Sequence, residues 1–270
     1  MCIGVFLWQA HPLYPFLLFL NRDEFHSRPT KPLAWWDGGE IVGGKDEQAG
    51  GTWLACTNYG KIAFVTNVRE VDGIPLAKSR GDLPLRFFQS NKNPREFAKD
   101  LVREAHEYNG FNLIVTDICS RSMIYITNRH KSEHSCVTEV SPGMHVLSNA
   151  SLDSPWPKAQ RLGNNFKILL DKCGSAELPL GEMAEILMTN TIKDDESILP
   201  HIYPAEREYH LSSIFVDADT PLGRYGTRST SVLSVKSDGE FNFYQKYLKK
   251  EEWKEHSVSF LMENRNGVQN

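Results

Sequence analysis

The chain opens Met1-Cys2-Ile3-Gly4-Val5-Phe6-Leu7-Trp8, turns through His11 and Pro12, and continues Pro15-Phe16-Leu17-Leu18-Phe19-Leu20 into Asn21-Arg22-Asp23-Glu24. Two apolar runs around a short turn read as a hairpin of buried strands. Chain termini fray unless they are tied into a sheet. A strand that begins at the first residue therefore predicts a terminus held inside the fold. The change from apolar to polar at Asn21 marks the end of the second strand. Asn21 to Pro32, with prolines at Pro29 and Pro32, reads as a loop.

Further strands are predicted at Ile41–Gly44, Thr52–Cys56, Ile62–Thr66, Phe111–Thr116, Met123–Thr127 and Met144–Leu147. Glu208–Phe215 and Tyr225–Val235 are additional strand candidates, and Ser237-Asp238-Gly239-Glu240 is a hairpin turn into Phe241–Tyr247. Gly50-Gly51 before Thr52 signals a tight backbone approach or a bulge. The clearest helix is Pro94–Tyr108, with Asn93 as N-cap, Pro94 at its first position and Gly110 just past its end. Lys158–Lys172 and Gly181–Met188 read as two more. Asp194-Asp195-Glu196 reads as a solvated acidic loop, and the last dozen residues as loose. Strands cluster at both ends and helices in the middle, which fits one α+β domain over residues 1–262 with a loose tail at 263–270.

Composition bounds the function. The 270 residues carry 30 Lys+Arg against 34 Asp+Glu, a net charge of −4. That balance argues against a surface built for nucleic acid, which needs a basic excess. Aromatics at 11% exclude general disorder. No stretch is long and apolar enough for a transmembrane helix, and no basic region precedes the apolar start as in a signal peptide. Cys2, Cys56, Cys119, Cys136 and Cys173 are scattered without CxxC spacing, which fits free thiols in a reducing compartment. His130 and His134 have the spacing of helical metal ligands but sit among polar residues, so no metal is expected.

Cys2 carries the most chemical information. Removal of Met1 would place its thiol beside a free α-amine of pKa about 7.7–8.0, so one residue would supply both nucleophile and base. The plain alternative is a small buried hydrophobe. Arg22 could lower the thiol pKa and a neighbouring carboxylate could hold the ammonium. A surface salt bridge at a hairpin end is the bland alternative. Asn67 and Asn149 each follow an apolar strand, where a side-chain amide can donate to an oxyanion or simply form a turn. Arg228, flanked by small hydroxyls, suits a carboxylate or a polarised carbonyl, or a strand-edge ion pair.

Together, Cys2, Asn21-Arg22-Asp23-Glu24-Phe25, Arg28-Pro29, Gly50-Gly51-Thr52-Trp53-Leu54, Thr66-Asn67, Ser79-Arg80-Gly81, Leu147-Ser148-Asn149 and Gly226-Thr227-Arg228-Ser229-Thr230 resemble the transport and Golgi organisation protein 2 family, also called the NRDE family. More distantly the chain is similar to N-terminal nucleophile hydrolases of the choloylglycine hydrolase type. That resemblance implies a four-layer αββα sandwich and a catalytic set of Cys2, Arg22, Asp23, Asn67, Asn149 and Arg228. Asn21, Glu24, Trp53 and Thr66 are the substrate-binding residues it implies. In those hydrolases the arginine and aspartate stand three residues apart, whereas Arg22 and Asp23 are adjacent and alternation sends them to opposite faces.

The family resemblance implies a role in secretory-pathway and Golgi organisation. It also implies links to haem trafficking and to lipid and mitochondrial homeostasis. The expected location is cytoplasmic, in association with Golgi or mitochondria. Two function classes follow. One is a hydrolase of an amide or thioester. The other is a non-catalytic carrier or chaperone whose pocket takes a hydrophobic anion, haem or an acyl lipid. No cofactor is required in either, and haem enters only as a ligand.

Overall fold

The computed structural model describes residues 2–129 and 136–263; His130, His134 and the tail 264–270 lie outside them. The opening hairpin is present as β1 (Cys2–Trp8) and β2 (Phe16–Phe25), antiparallel, with Cys2 opposite Arg22 and Trp8 opposite Phe16. Strand alternation splits their side chains into two sets. Phe6, Leu18 and Leu20 enter one hydrophobic core, and Ile3, Val5, Leu17 and Phe19 enter another. Phe6 meets Phe64 edge-on at 5.6 Å, and Phe19 meets Phe166 at 5.6 Å on the opposite side. This double burial explains why both strands read as continuous apolar runs. Truncating either phenylalanine to alanine would cost about 3–5 kcal/mol.

The hairpin belongs to a seven-stranded antiparallel sheet. Its other members are β10 (Gly143–Leu147), β11 (Asp217–Thr220), β12 (Gly223–Val235), β13 (Glu240–Lys249) and β14 (Glu252–Leu261). The spatial order is β10-β1-β2-β12-β13-β14, with β11 on β12. A second seven-stranded sheet is a simple meander. It runs through β3 (Thr30–Trp35), β4 (Ile41–Asp46), β5 (Leu54–Thr57), β6 (Lys61–Asn67), β7 (Phe111–Asp117), β8 (Ser122–Thr127) and β9 (Cys136–Glu139). Helices α1 (Asp82–Gln89) and α2 (Pro94–Glu104) cover the outer face of the meander. Helices α3 (Pro157–Cys173) and α4 (Leu180–Met188) cover the outer face of the first sheet. The two sheets close over a common core between them. The architecture is therefore the expected αββα sandwich. Helix α5 (Ala205–His210) lies in the long segment between α4 and β11. No helix among the described residues is long and apolar enough to cross a membrane.

The N-cap of α2 is a complete capping box between Asn93 and Glu96, and a single 3₁₀ turn at Ala105–Glu107 ends the predicted helix early. The approach expected at Gly50-Gly51 is real. A Cβ on Gly51 would stand 2.3 Å from the Gly81 carbonyl, and Thr52 N–H donates to that carbonyl at 2.9 Å.

Four expectations fail for identifiable reasons. Asn21 to Phe25 is strand, because β2 continues and the polar side chains find partners inside the protein. Glu208–Phe215 is not a strand. Glu208 is drawn into α5, where it is buried and ion-paired with Arg69. Asp194 is buried against Arg161 and only Asp195 and Glu196 are exposed. Ser259–Leu261, read as loose, complete β14.

Candidate functional site

The site is built around the start of β1. Arg22 is the cross-strand partner of Cys2 on one side. On the other side β10 pairs with β1 from Gly4 opposite Leu147. Two further steps along that register bring Asn149 level with Cys2, and Ser148 Oγ donates to the Cys2 carbonyl at 3.2 Å. Directly opposed residues share a face. Cys2, Arg22 and Asn149 therefore lie toward the space between the sheets.

The Cys2 side chain is buried, and burial pushes its thiol pKa up. The positive charge of the chain terminus, Arg22 and a hydrogen bond from the Asp23 backbone pull it back down, while the Asp23 carboxylate adds to the rise. Arg22 is itself buried, which lowers its pKa, and its guanidinium lies 4.3 Å from the centre of the Trp53 ring. Trp53 reaches this position because Gly44 has no side chain; a Cβ there would be 2.4 Å from the indole.

Asn21 and Asp23 occupy the other face of β2, beneath the helices. Asp23 Oδ1 accepts from Thr227 Oγ1 at 2.8 Å. Burial raises its pKa, and the positive chain terminus is the strongest opposing influence. The two adjacent residues thus approach the start of β1 from opposite sides: Arg22 beside the thiol, and Asp23 within the field of the terminus. Asn21 is fully committed elsewhere. Its amide donates to the carbonyls of Met188 at 2.7 Å and Ile214 at 3.0 Å, and its oxygen accepts from Thr230 at 2.6 Å. It clips the α4–β11 segment to the sheet and does not reach the cleft, contrary to the substrate-binding role implied for it.

Across the cleft, the ends of β6 and β10 are stitched together. Asn149 Nδ2 donates to the Asn67 carbonyl at 2.8 Å, and Thr66 Oγ1 donates to the Ser148 carbonyl at 2.6 Å. Asn112 Nδ2 donates to Thr66 Oγ1 at 3.2 Å and to the Ala150 carbonyl at 2.8 Å, while Tyr125 donates to Asn112 Oδ1 at 2.7 Å. Thr66 is thus a structural tie, with its hydroxyl spent on Ser148 and its side chain buried. Asn149 has a second amide hydrogen, and Asn67 is half-buried at the strand end. Glu24 accepts from the Phe25 N–H at 2.9 Å and lies 3.9 Å from Arg28, away from the cavity lining.

Arg228 reaches the cleft through a β-bulge. Thr227 pairs with Asp23 and Ser229 with Arg22, so Arg228 is the additional residue. A bulge turns two successive side chains to one side, and both Arg228 and Ser229 line a cavity of about 120 Å³ with Arg22, Trp53, Gln245 and Lys249. Arg228 Nη1 donates to the carbonyls of Phe25 and Arg28 and to Thr30 Oγ1. Its Nε and the Ser229 hydroxyl are buried with no hydrogen-bond partner among the described residues. The cavity therefore offers cationic and donor groups to an anion.

Sequence reading gave no role in the site to Asn112, Ser148, Tyr125 or Ser229. The available signal was polarity inside a buried strand, which Asn112 carries in Phe111–Asp117.

The architecture is an αββα sandwich with the chain's first strand inside one sheet and Cys2 at the start of that strand. Residues 1–250 match the Transport and Golgi organisation 2 family, and the chain belongs to that family. It is 31% identical over 261 residues to the "Transport and Golgi organization protein 2 homolog" of Bos taurus, covering 91% of this chain and 92% of that one. The "Transport and Golgi organization 2 homolog" of Mus musculus is 28% identical over 287 residues, covering 97% of this chain and all of its own. Among solved structures, a Caenorhabditis elegans N-acylethanolamine-hydrolyzing acid amidase ortholog aligns over 86% of this chain and 92% of its own, with 11% identity and a TM-score of 0.41.

Proposed function

We propose that this chain is an N-terminal cysteine hydrolase that cleaves an amide or thioester bond in a small anionic substrate with an apolar portion. The observation that carries this reading is the placement of Cys2 between Arg22 and Asn149, one strand from a basic cavity. Removal of Met1 would bring the α-ammonium one residue closer to the thiol and so lower the thiol pKa. The free amine takes the Sγ proton, and the thiolate attacks the carbonyl carbon. The second Asn149 amide hydrogen and Asn67 receive the oxyanion. Collapse of the tetrahedral intermediate breaks the C–N or C–S bond. The leaving group takes the proton back from the ammonium, and water then hydrolyses the acyl-thioester on Cys2. Asp23 holds the ammonium, and Arg22 and Arg228 hold the substrate's negative charge. Trp53 supplies an apolar wall through its indole.

A second reading, a carrier for haem or an acyl lipid, is favoured by the burial that raises the Cys2 thiol pKa. Small-molecule pockets begin at roughly 300 Å³, so the cavity of about 120 Å³ would take a carboxylate head group. Haem would need its walls to part. As the setting of either activity we propose the cytoplasmic side of Golgi or mitochondria, within haem or lipid homeostasis.

The test is mass spectrometry of native protein exposed to a thiol-directed acyl electrophile, with Cys2→Ser and Cys2→Ala alongside a haem titration. The hydrolase reading expects a mature chain starting at Cys2 and an adduct on Cys2. It expects the adduct to disappear in Cys2→Ala, with steep loss of hydrolysis in Cys2→Ser. A retained Met1, or equal labelling of Cys2→Ala, would refute it. Stoichiometric haem binding that survives both substitutions, without any Cys2 adduct, would establish the carrier instead.

A further inference from the structure

His145 lies in β10 opposite Phe6 of β1, and it is buried. Both of its ring nitrogens face acceptors. Nδ1 lies 2.7 Å from Asp153 Oδ2, and Nε2 lies 2.9 Å from the Ser141 carbonyl. A neutral imidazole has one N–H and one lone pair, so it satisfies only one of them. The imidazolium donates to both. Asp153 is also bonded to the next residue of β10. Its Oδ1 accepts from the Val146 N–H at 2.8 Å, and its own N–H donates to the Val146 carbonyl at 2.9 Å. These bonds close the root of the loop 147–152. Asp153 closes it at a φ of +57°, in the left-handed region that a non-glycine residue keeps only where its contacts hold it.

The loop carries the residues that reach the start of β1. Ser148 Oγ donates to the Cys2 carbonyl at 3.2 Å, and Asn149 Nδ2 donates to the Asn67 carbonyl at 2.8 Å. The Arg69 N–H donates to the Asn149 carbonyl at 2.8 Å, and Asn112 Nδ2 to the Ala150 carbonyl at 2.8 Å. None of these bonds depends on a titrating side chain, so His145 is the titrating group at the root. Few groups face it. β1 presents the Phe6 ring, with centres 5.3 Å apart. The segment before β10 supplies the Ser141 carbonyl. The loop after β10 supplies Asp153, the one charge acting on His145 among the described residues. Helix α3 meets β10 through Gly163, at Met144 and Val146. Tyr125 of β8 accepts from the Leu152 N–H at 3.3 Å and feels Asp153, but burial pushes its pKa up to about 12, so it stays neutral.

We propose that His145 is a positioning residue for Asn149: as an imidazolium it bridges the Asp153 carboxylate and the Ser141 carbonyl and holds the root of the Asn149 loop closed. Burial works to lower its pKa, but the bonds to Asp153 and Ser141 and the Asp153 charge outweigh burial and raise it above the ordinary 6.5. The clasp is therefore complete below the unfolded value and is lost as pH rises through the higher folded value. Neutral His145 leaves either the carboxylate or the carbonyl facing a lone pair, and the loop loosens at its root. Asp153 is half-exposed, so water offsets part of that loss. Loss of one charge-assisted bond then corresponds to about tenfold in the opening of the loop. The part of Asn149 in the reaction rests on the hydrolase reading, whereas the clasp itself does not.

The experiment measures two quantities against pH in protein whose start at Cys2 has been verified by intact mass, with His145 followed by the NMR signal of its ring. One is hydrogen-exchange protection of residues 148–153, corrected for intrinsic exchange rates. The other is the rate of Cys2 acetylation by p-nitrophenyl acetate, taken as a ratio to Asp153→Asn so that the titration of the thiol cancels. In Asp153→Asn the amide oxygen still accepts from Val146, its Nδ2 donates to neutral Nδ1 of His145, and Nε2–H serves Ser141, so the clasp needs no proton. Wild type should lose protection about tenfold across the His145 titration, and its acetylation should fall behind that of Asp153→Asn over the same range. Asp153→Asn should show no step, and His145→Phe should be loose at every pH. A role limited to packing would lower the melting temperature of His145→Phe and leave wild-type protection unchanged through the titration, and that result overturns the inference. A step that persists in Asp153→Asn, or a stepped loop with a flat acetylation ratio, overturns it as well. If His145→Phe does not fold, wild type against Asp153→Asn decides alone. Protection that steps as expected while Cys2 accepts no acetyl group at any pH would sink the hydrolase reading and leave the clasp standing.

Discussion

Asn21→Leu is expected to lower stability steeply, because the first residue of the Asn-Arg-Asp-Glu motif is a buried clip. Leucine copies the branched shape of asparagine but has neither donor nor acceptor. It would strand the Met188 and Ile214 carbonyls and the Thr230 hydroxyl, all now bonded to Asn21 at 2.6–3.0 Å. A buried polar group that loses its partner costs about 1–3 kcal/mol. Three such groups, less the gain from the leucine's apolar contact, give a net loss of about 3 kcal/mol. That is a large fraction of the ~5–15 kcal/mol that holds a typical domain together. For a chain of this size it corresponds to a fall in melting temperature of roughly 6–12 °C. Calorimetry and urea titration of the purified variant would measure it, with Thr230→Val as a companion expected to cost about 1 kcal/mol. An Asn21→Leu protein within 1 kcal/mol of wild type that nonetheless lost ligand binding would refute the clip and return Asn21 to the cleft.

Gly51→Ala should destabilise by about 1–3 kcal/mol, because its methyl would collide with the Gly81 carbonyl at 2.3 Å; a neutral result in thermal melts would contradict the packing of these two motifs. Burial acts to raise the Asp46 pKa, but the bidentate bond from Arg28, at 3.1 and 2.6 Å, outweighs it and depresses the carboxyl below its usual range. Its stabilisation is therefore full above the unfolded pKa of about 3.9 and lost as pH falls through the lower folded value. Asp46→Asn should cost about 1 kcal/mol at pH 7, and its difference from wild type should vanish at acid pH; a difference that stayed constant down to pH 2 would contradict the assignment.

The opening hairpin and the capped helix α2 follow from local rules, since unbroken apolar runs and an Asn-Pro start depend on nearby residues alone, whereas the four layers were implied only by the resemblance to the hydrolases. Alternation also put Arg22 and Asp23 on opposite faces from sequence alone. It could not say which of them faced the thiol, because both faces of β2 are buried and both polar residues are paired within the protein. That choice depends on register with β1, where Cys2 meets Arg22. The bulge that turns Arg228 into the cavity exists only as a mismatch between β12 and β2, so no pattern within β12 could reveal it. Asn112 tied to Thr66 and Ala150, Asn149 to Asn67, and the Lys158 ammonium to the Leu211 carbonyl are juxtapositions of residues distant in sequence. Local periodicity determined which residues would be buried. Strand register and the closing of one sheet over the other decided which buried polar groups would meet, because the energy of a buried charge or amide depends on a partner that the local sequence does not contain.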